Sequence, residues 1–193
     1  MAKSVPLGSV YNVPNSLTIS RLVLSAVCFV ALTGKWYLPA LVLFIIAAGT
    51  DWLDGYWARK YGQVTLIGRV LDPFADKIIV CGGFVFLAAE PGSQVTAWMA
   101  VLVVARELLV TALRSFIESS GGDFSAKWVG KWKMVLQCVA IGLAIFYLWR
   151  GALVSDSFWR SATQIAVWLA VALTLYSGWV YVQRALAMAR RSS

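Results

Sequence analysis

The chain carries, between residues 51 and 76, the segment Asp51-Trp-Leu-Asp54-Gly55-Tyr-Trp-Ala58-Arg59, eight further residues, and then Gly68-Arg-Val-Leu-Asp72-Pro-Phe-Ala-Asp76. This segment holds four of the nine acidic residues in the protein. Asp51 and Asp54 are three residues apart, and Asp72 and Asp76 are four apart, so a helix would project each pair from one face. Two neighbouring helices could therefore direct four carboxylates at one point.

Four clustered carboxylates repel one another, and at the edge of a membrane they persist only beside compensating positive charge. The chain has no histidine, and Cys28, Cys81 and Cys138 are isolated in apolar runs, so the donors are all oxygen. Oxygen donors favour Mg²⁺ or Mn²⁺ over Zn²⁺. Two such ions would balance the four charges, and paired metal ions can clamp the oxygens of a transferring phosphoryl group.

Composition places this segment in a membrane protein. The chain of 193 residues is 60% hydrophobic, has a mean hydropathy of +0.74 and contains 10 tryptophans. A soluble domain of this length cannot bury so much apolar surface. The net charge of +8 is explained by lysine and arginine at one membrane face, and no soluble basic domain is present to bind nucleic acid.

Hydropathy predicts an all-α integral membrane protein, a bundle of about six transmembrane helices in a single domain over residues 1–193. The predicted N-terminal cytoplasmic segment is 1–15, and the bundle is 16–188. Asn15 and Ser16 are predicted to cap the first helix, Gly34 to end it, and Pro73 to lie in the first turn of the third. The predicted spans are 17–33, 37–59, 70–89, 95–114, 127–149 and 161–182.

The positions of lysine and arginine predict the orientation. With the N-terminus inside, only Lys35, Arg150 and Arg160 of the 17 basic residues lie on the outer side. Both termini and the aspartate segment are therefore expected at the cytoplasmic face of the cell inner membrane, which makes the predicted active site interfacial and cytoplasm-facing.

Basic residues flank the predicted connector between the fourth and fifth spans. A set of this kind could enclose a phosphate dianion, although a positive collar that contacts anionic lipid has the same composition. Arg106 is the residue least typical of a collar, because Glu107 beside it forms a costly charged pair within an apolar run. The candidate acceptor-phosphate residues are Arg106, Arg114, Lys127, Lys131 and Lys133.

The aspartate segment resembles the signature of the CDP-alcohol phosphotransferase family, D-x2-D-G-x2-A-R-x8-G-x3-D-x3-D, at every fixed position. The resemblance implies that Asp51, Asp54, Asp72 and Asp76 bind the metal ions, and that Asp76 is also the catalytic base. It further implies that the lipid substrate is CDP-diacylglycerol. The residues implied in binding it are Asn15, Thr18, Arg21, Asp54, Gly55, Ala58, Arg59 and Gly68.

Outer segments are similar to the phosphatidylglycerophosphate synthase subfamily. These segments are Asn15-Ser-Leu-Thr18-Ile-Ser-Arg21, Arg106-Glu107 with Arg114, and Gly130-Lys131-Trp-Lys133 with Gln137. The similarity implies sn-glycerol 3-phosphate as acceptor, with phosphatidylglycerol phosphate and CMP as products. Met134 departs from the pattern, because relatives commonly carry threonine there.

Other interpretations of the sequence stay open. The same chemistry could serve inositol phosphate, phosphatidylglycerol or serine as acceptor, and the basic residues favour a phosphorylated one. A small cation transporter would also hold carboxylates in the membrane, but they are expected near the bilayer middle rather than at one end. Aspartate-rich prenyltransferases bind Mg²⁺-pyrophosphate without the D-G-x2-A-R segment. The oligomeric state, including a homodimer, is not determined by the sequence.

Overall fold

The computed structural model describes residues 13–61, 66–119, 127–151 and 157–192. All regular structure in these ranges is helical. The helices are α1 (Val13–Thr33), α2 (Tyr37–Tyr61), α3 (Leu66–Ala89), α4 (Ala97–Ser119), α5 (Lys127–Gly151) and α6 (Ser157–Ser192). Some side chains within the helices lie outside the description, namely those of residues 13–15, 51–61, 66–70, 72, 116, 118, 119, 127–129, 131 and 189–192.

The prediction of an all-α membrane protein with six helices is confirmed. Among the described residues, three segments are long and apolar enough to cross a membrane: Ser16–Thr33, Trp132–Gly151 and Ser157–Met188. Helix α2 contributes the shorter apolar stretch Tyr37–Thr50. Every 18-residue window of α3 or α4 includes at least three charged residues, which distinguishes these two helices from the three apolar segments.

The chain forms two compact units, Met1–Gly83 and Phe84–Ser193, with the boundary inside α3. In the first unit α1 packs against α2, and in the second α6 packs against both α4 and α5. The single-domain assignment therefore stays a prediction.

Helix α1 buries several polar side chains on one face. Thr18, Arg21 and Ser25 are fully buried and share one face, while Ile19 and Val23 on the opposite side are about half exposed. The second unit follows the same rule, because Arg106, Lys133, Gln137, Thr174 and Ser177 are buried while leucine, valine and tryptophan face outward. An apolar exterior around a polar interior is the pattern expected of helices in lipid.

The end of α1 differs in detail from the prediction. The N–H of Trp36 donates to the Ala31 carbonyl at 2.8 Å, and the N–H of Lys35 to the Leu32 carbonyl at 2.9 Å. This is a Schellman arrangement, and its left-handed residue is Lys35, with φ of 59°, rather than Gly34. Gly34 is the last residue before the reversal.

Other helix boundaries were predicted wrongly. Asn15 and Ser16 do not cap α1, because the helix already begins at Val13. Helix α3 begins at Leu66, so Pro73 lies in its interior, where its missing N–H removes the hydrogen bond to the carbonyl of residue 69. Arg150 and Arg160 belong to helices, and α6 extends to Ser192 instead of ending near Val182.

Candidate active site

The first unit pairs a buried arginine with a candidate catalytic carboxylate. Arg21 Nη1 on α1 donates to Asp76 Oδ1 on α3 at 2.5 Å, and the Arg21 side chain is 1% exposed. Asp76 keeps 29% of its side chain exposed. The Ser25 hydroxyl donates to the Arg21 carbonyl at 2.7 Å. Arg21 thus holds one side of the Asp76 carboxylate, which still has surface open to a ligand.

The aspartate segment has the helical framework that its spacing predicts. Asp51 and Asp54 lie on α2, and Asp72 and Asp76 lie on α3. The convergence of the four carboxylates stays a prediction, because the side chains of Asp51, Asp54 and Asp72 lie outside the description.

The predicted CDP-diacylglycerol residues are on α1, α2 and α3. Thr18 and Arg21 are both fully buried and are three residues apart on the inner face of α1. Arg21 contacts Asp76 in the structure, and its contact with the lipid substrate stays a prediction. The remaining six predicted residues are on helices, and their side chains lie outside the description: Asn15, Asp54, Gly55, Ala58, Arg59 and Gly68.

The second unit contains a buried charged cluster on α4 and α5, which we call the Glu107 cluster: Arg106, Glu107 and Lys133. Arg106 Nη1 donates to Glu107 Oε1 at 3.0 Å, and Lys133 Nζ donates to the same oxygen. The three side chains are 6%, 10% and 9% exposed, respectively. Two cations and one carboxylate leave a net charge of +1 in a buried site, which suits an anion.

Helix α6 completes the surroundings of this cluster. Arg106 Nη2 donates to the Ser177 hydroxyl at 2.8 Å, and the guanidinium carbon lies 5.6 Å from the centroid of the Tyr181 ring. Gly178 makes room for the arginine, because a Cβ there would come within 3.1 Å of Arg106 Cγ. Arg106 is therefore held on three sides before any ligand arrives.

The other predicted acceptor-phosphate residues are placed less closely. Arg114 is exposed, and its Nη2 donates to the Tyr181 hydroxyl at 3.4 Å, so the tyrosine joins Arg114 to Arg106. Lys127 and Lys131 are on α5, with side chains outside the description. The structure brings Arg106, Arg114 and Lys133 into one connected group, and their contact with a phosphate stays a prediction.

Sequence reasoning missed three participants in this group. Ser177 and Tyr181 lie in an apolar helix, four residues apart, and nothing in their neighbourhood signals a charged partner. Glu107 was noticed only as a costly neighbour of Arg106. Its proximity to Lys133, 26 residues away, follows from the packing of α4 and α5 against α6 in the second unit.

The chain has clear relatives among known proteins. The profile described as CDP-alcohol phosphatidyltransferase matches residues 11–176. This match covers most of the chain, including both units and all four aspartates.

The chain belongs to the CDP-alcohol phosphatidyltransferase family.

Three relatives agree with this assignment. All three are named CDP-diacylglycerol–glycerol-3-phosphate 3-phosphatidyltransferase. The protein from Bacillus subtilis is 32% identical to this chain, and the match covers 90% of this chain and 95% of the relative. The Haemophilus influenzae protein is 35% identical over 90% and 92% of the two chains, and the Escherichia coli K12 protein 34% over 92% and 96%. Together with its apolar helices, family membership makes this chain a transferase that is a multi-pass membrane protein.

Proposed function

We propose that the protein transfers the phosphatidyl group of CDP-diacylglycerol to sn-glycerol 3-phosphate, giving phosphatidylglycerol phosphate and CMP in phospholipid biosynthesis. The observation that carries the proposal is the shared name of relatives that align over nine-tenths of this chain at 32–35% identity. The Glu107 cluster supports a phosphorylated acceptor, because a buried site of net positive charge favours an anion.

The reaction joins a lipid and a soluble alcohol. The 1-hydroxyl oxygen of the acceptor attacks the phosphorus that bears diacylglycerol, and the bond from that phosphorus to the CMP oxygen breaks. Asp76 accepts the hydroxyl proton, and CMP leaves with the electron pair of the broken bond. The exposed part of the Asp76 carboxylate suits this role, because a base must reach the proton it removes.

Arg21 prepares Asp76 for this step. Its guanidinium donates to Oδ1, which fixes the orientation of the carboxylate. Because Arg21 is fully buried, water screens its charge only weakly, and its attraction to the Asp76 carboxylate is strong. Arg21 is therefore a positioning residue in this account, while Thr18 lines the same face of α1.

The donor set fits divalent metal ions. Asp51, Asp54, Asp72 and Asp76 supply only oxygen, and the one described carboxylate of the four retains exposed surface. We propose that these residues hold Mg²⁺ or Mn²⁺, two ions in all. When bound, the ions supply charge stabilisation to the phosphoryl oxygens. Gly55, Ala58, Arg59 and Gly68 would hold the cytidine diphosphate part of the lipid substrate, together with Asn15.

The proposed orientation follows from charge. In the sequence, lysine and arginine concentrate in the segments assigned to the inner side, which supports the proposal that both termini and the active site face the cytoplasm at the inner membrane. An interfacial site suits a reaction between a membrane lipid and a soluble phosphate. Association into a homodimer is not required by any step.

A panel of alcohols tests the proposal. Purified protein in detergent with CDP-diacylglycerol and Mg²⁺ should release CMP rapidly with sn-glycerol 3-phosphate, and slowly with glycerol, serine, inositol phosphate or phosphatidylglycerol. Equal or faster CMP release with another alcohol would reassign the acceptor. No CMP release with any alcohol, from protein that unfolds cooperatively, would overturn the proposed chemistry.

A further inference from the structure

Two buried polar atoms beside the Glu107 cluster lack a hydrogen-bond partner among the residues that the structure describes. One is a donor, Arg106 Nε, and the other is an acceptor, Gln137 Oε1. Arg106 is 7% exposed and Gln137 is fully buried. Buried polar atoms in folded proteins are nearly always paired, so each exception calls for a physical explanation.

The orientation of the Gln137 amide is determined by its neighbour on α6. Its Nε2 donates to Thr174 Oγ1 at 3.0 Å, and the Thr174 hydroxyl itself donates to the Ala170 carbonyl at 2.6 Å. Since that hydroxyl has already used its hydrogen, it can only accept from the amide. Rotating the amide by 180° would bring two acceptors together, so Oε1 is the end without a partner.

A continuous network connects Gln137 with the cluster. The Ser177 hydroxyl donates to the Thr174 carbonyl at 2.8 Å and accepts from Arg106 Nη2 at 2.8 Å. Along α5, Lys133 and Gln137 are four residues apart and so share one face of the helix. The unpartnered acceptor thus lies on the same polar surface as the cations.

A phosphorylated polyol would satisfy both atoms. Its phosphate oxygens can accept from Arg106 Nε, and a hydroxyl that does not react can donate to Gln137 Oε1. We propose that Gln137 is a specificity-determining residue that accepts a hydrogen bond from the 2-hydroxyl of the acceptor while the Glu107 cluster binds its phosphate. The proposal rests on the proposed function, and it adds a reason why the acceptor must be a polyol.

The test compares two acceptors in two proteins. 3-Hydroxypropyl phosphate keeps the phosphate and the reacting primary hydroxyl of glycerol 3-phosphate but lacks the 2-hydroxyl. With the wild type, its kcat/KM should be lower by about 5- to 150-fold, because Gln137 then stays unpaired. In Gln137→Met, kcat/KM for glycerol 3-phosphate should fall to about that for the analogue, and the preference should vanish.

The outcomes separate a specificity role from a structural one. If Gln137 has only a structural role, Gln137→Met should lower kcat/KM for both acceptors by the same factor and keep their ratio. That result would overturn the proposal. Equal use of both acceptors by the wild type would also overturn it. No turnover of glycerol 3-phosphate by the wild type would instead contradict the proposed function itself.

Two further variants keep the test decisive. If Gln137→Met does not fold, Thr174→Val takes its place in the test. This variant removes the group that orients the amide, so it should reduce the preference for glycerol 3-phosphate over 3-hydroxypropyl phosphate. An unchanged preference would contradict the proposal. Gln164→Met is the matched control, because this glutamine is exposed on α6, and its preference should equal that of the wild type.

Discussion

Asp76 and Glu107 are both carboxylates that accept a hydrogen bond from an arginine, but their surroundings differ. Asp76, in the first unit, pairs with Arg21 and is 29% exposed. Glu107, in the second unit, receives hydrogen bonds from both Arg106 and Lys133 at one oxygen and is 10% exposed. Under the proposed function, this difference indicates a division of labour, in which Asp76 serves as the base and Glu107 holds the two cations of its own cluster.

The largest expected effect is the loss of activity on removing divalent ions. Excess EDTA should abolish turnover. The four carboxylates and the pyrophosphate of the substrate are all negatively charged, so divalent cations are needed to hold them together. The Glu107 cluster carries its own charge, so glycerol 3-phosphate should still raise the unfolding temperature in EDTA. Full activity in EDTA, or recovery with Zn²⁺ alone, would contradict the predicted metal site.

Asp76→Asn tests the role of Asp76 as the base. Loss of the base should lower kcat by about 10²–10⁴-fold or more, while CDP-diacylglycerol binding persists because the amide keeps the shape and one oxygen donor. The midpoint of thermal unfolding should also fall, because the substitution leaves the buried Arg21 guanidinium without a carboxylate, so kcat is measured well below that midpoint. Near-normal turnover would remove Asp76 from the role of base.

Glu107→Gln should act chiefly on stability. It leaves two buried cations without their carboxylate, which costs about 3–5 kcal/mol in the free energy of unfolding. Glu107→Asp retains the charge and is the control. Thermal unfolding in detergent measures the effect, and an unchanged midpoint in Glu107→Gln would contradict the claim that Glu107 compensates the two buried cations.

A smaller effect is expected where α1 meets α3 in the first unit. A Cβ on Gly82 would overlap the ring of Phe29, so Gly82→Ala must displace that ring, at a cost of about 1–3 kcal/mol. Gly49→Ala is the matched control on α2, because its Cβ would meet nothing within 4 Å. The control should be neutral or slightly stabilising. Equal unfolding temperatures for the two variants would contradict the close packing.

The sequence predicted helices better than their ends. Residues 37–59 were predicted as one helix, because the aspartate segment was expected to continue the helix of the apolar stretch before it, and α2 confirms this. The first residue of a helix was predicted wrongly in two situations. In one, a polar residue resembled a cap, as at Asn15, and in the other a proline indicated a first turn, as at Pro73. In lipid, unbroken helical hydrogen bonding is favoured even past such signals, because no water replaces a lost partner.

The candidate site was predictable to the extent that its residues are close in sequence. The aspartate segment is local, so its motif could be recognised without a fold. By contrast, the pairing of Glu107 with Lys133 and the contact of Arg106 with Ser177, 71 residues away, depend on how α4, α5 and α6 pack. Spacing within one helix carries no information about such partners.

The division of labour is tested most directly by measuring both substrate KM values in two variants. Arg106→Gln should raise the KM for glycerol 3-phosphate by about 10- to 150-fold, since each charge-assisted contact is worth about 1.5–3 kcal/mol, and leave that for CDP-diacylglycerol nearly unchanged. Arg59→Gln should do the opposite. Two results would contradict this account: each variant raises both KM values together, or Arg106→Gln uses glycerol 3-phosphate normally. Either result would show that Arg106 and Arg59 do not bind different substrates.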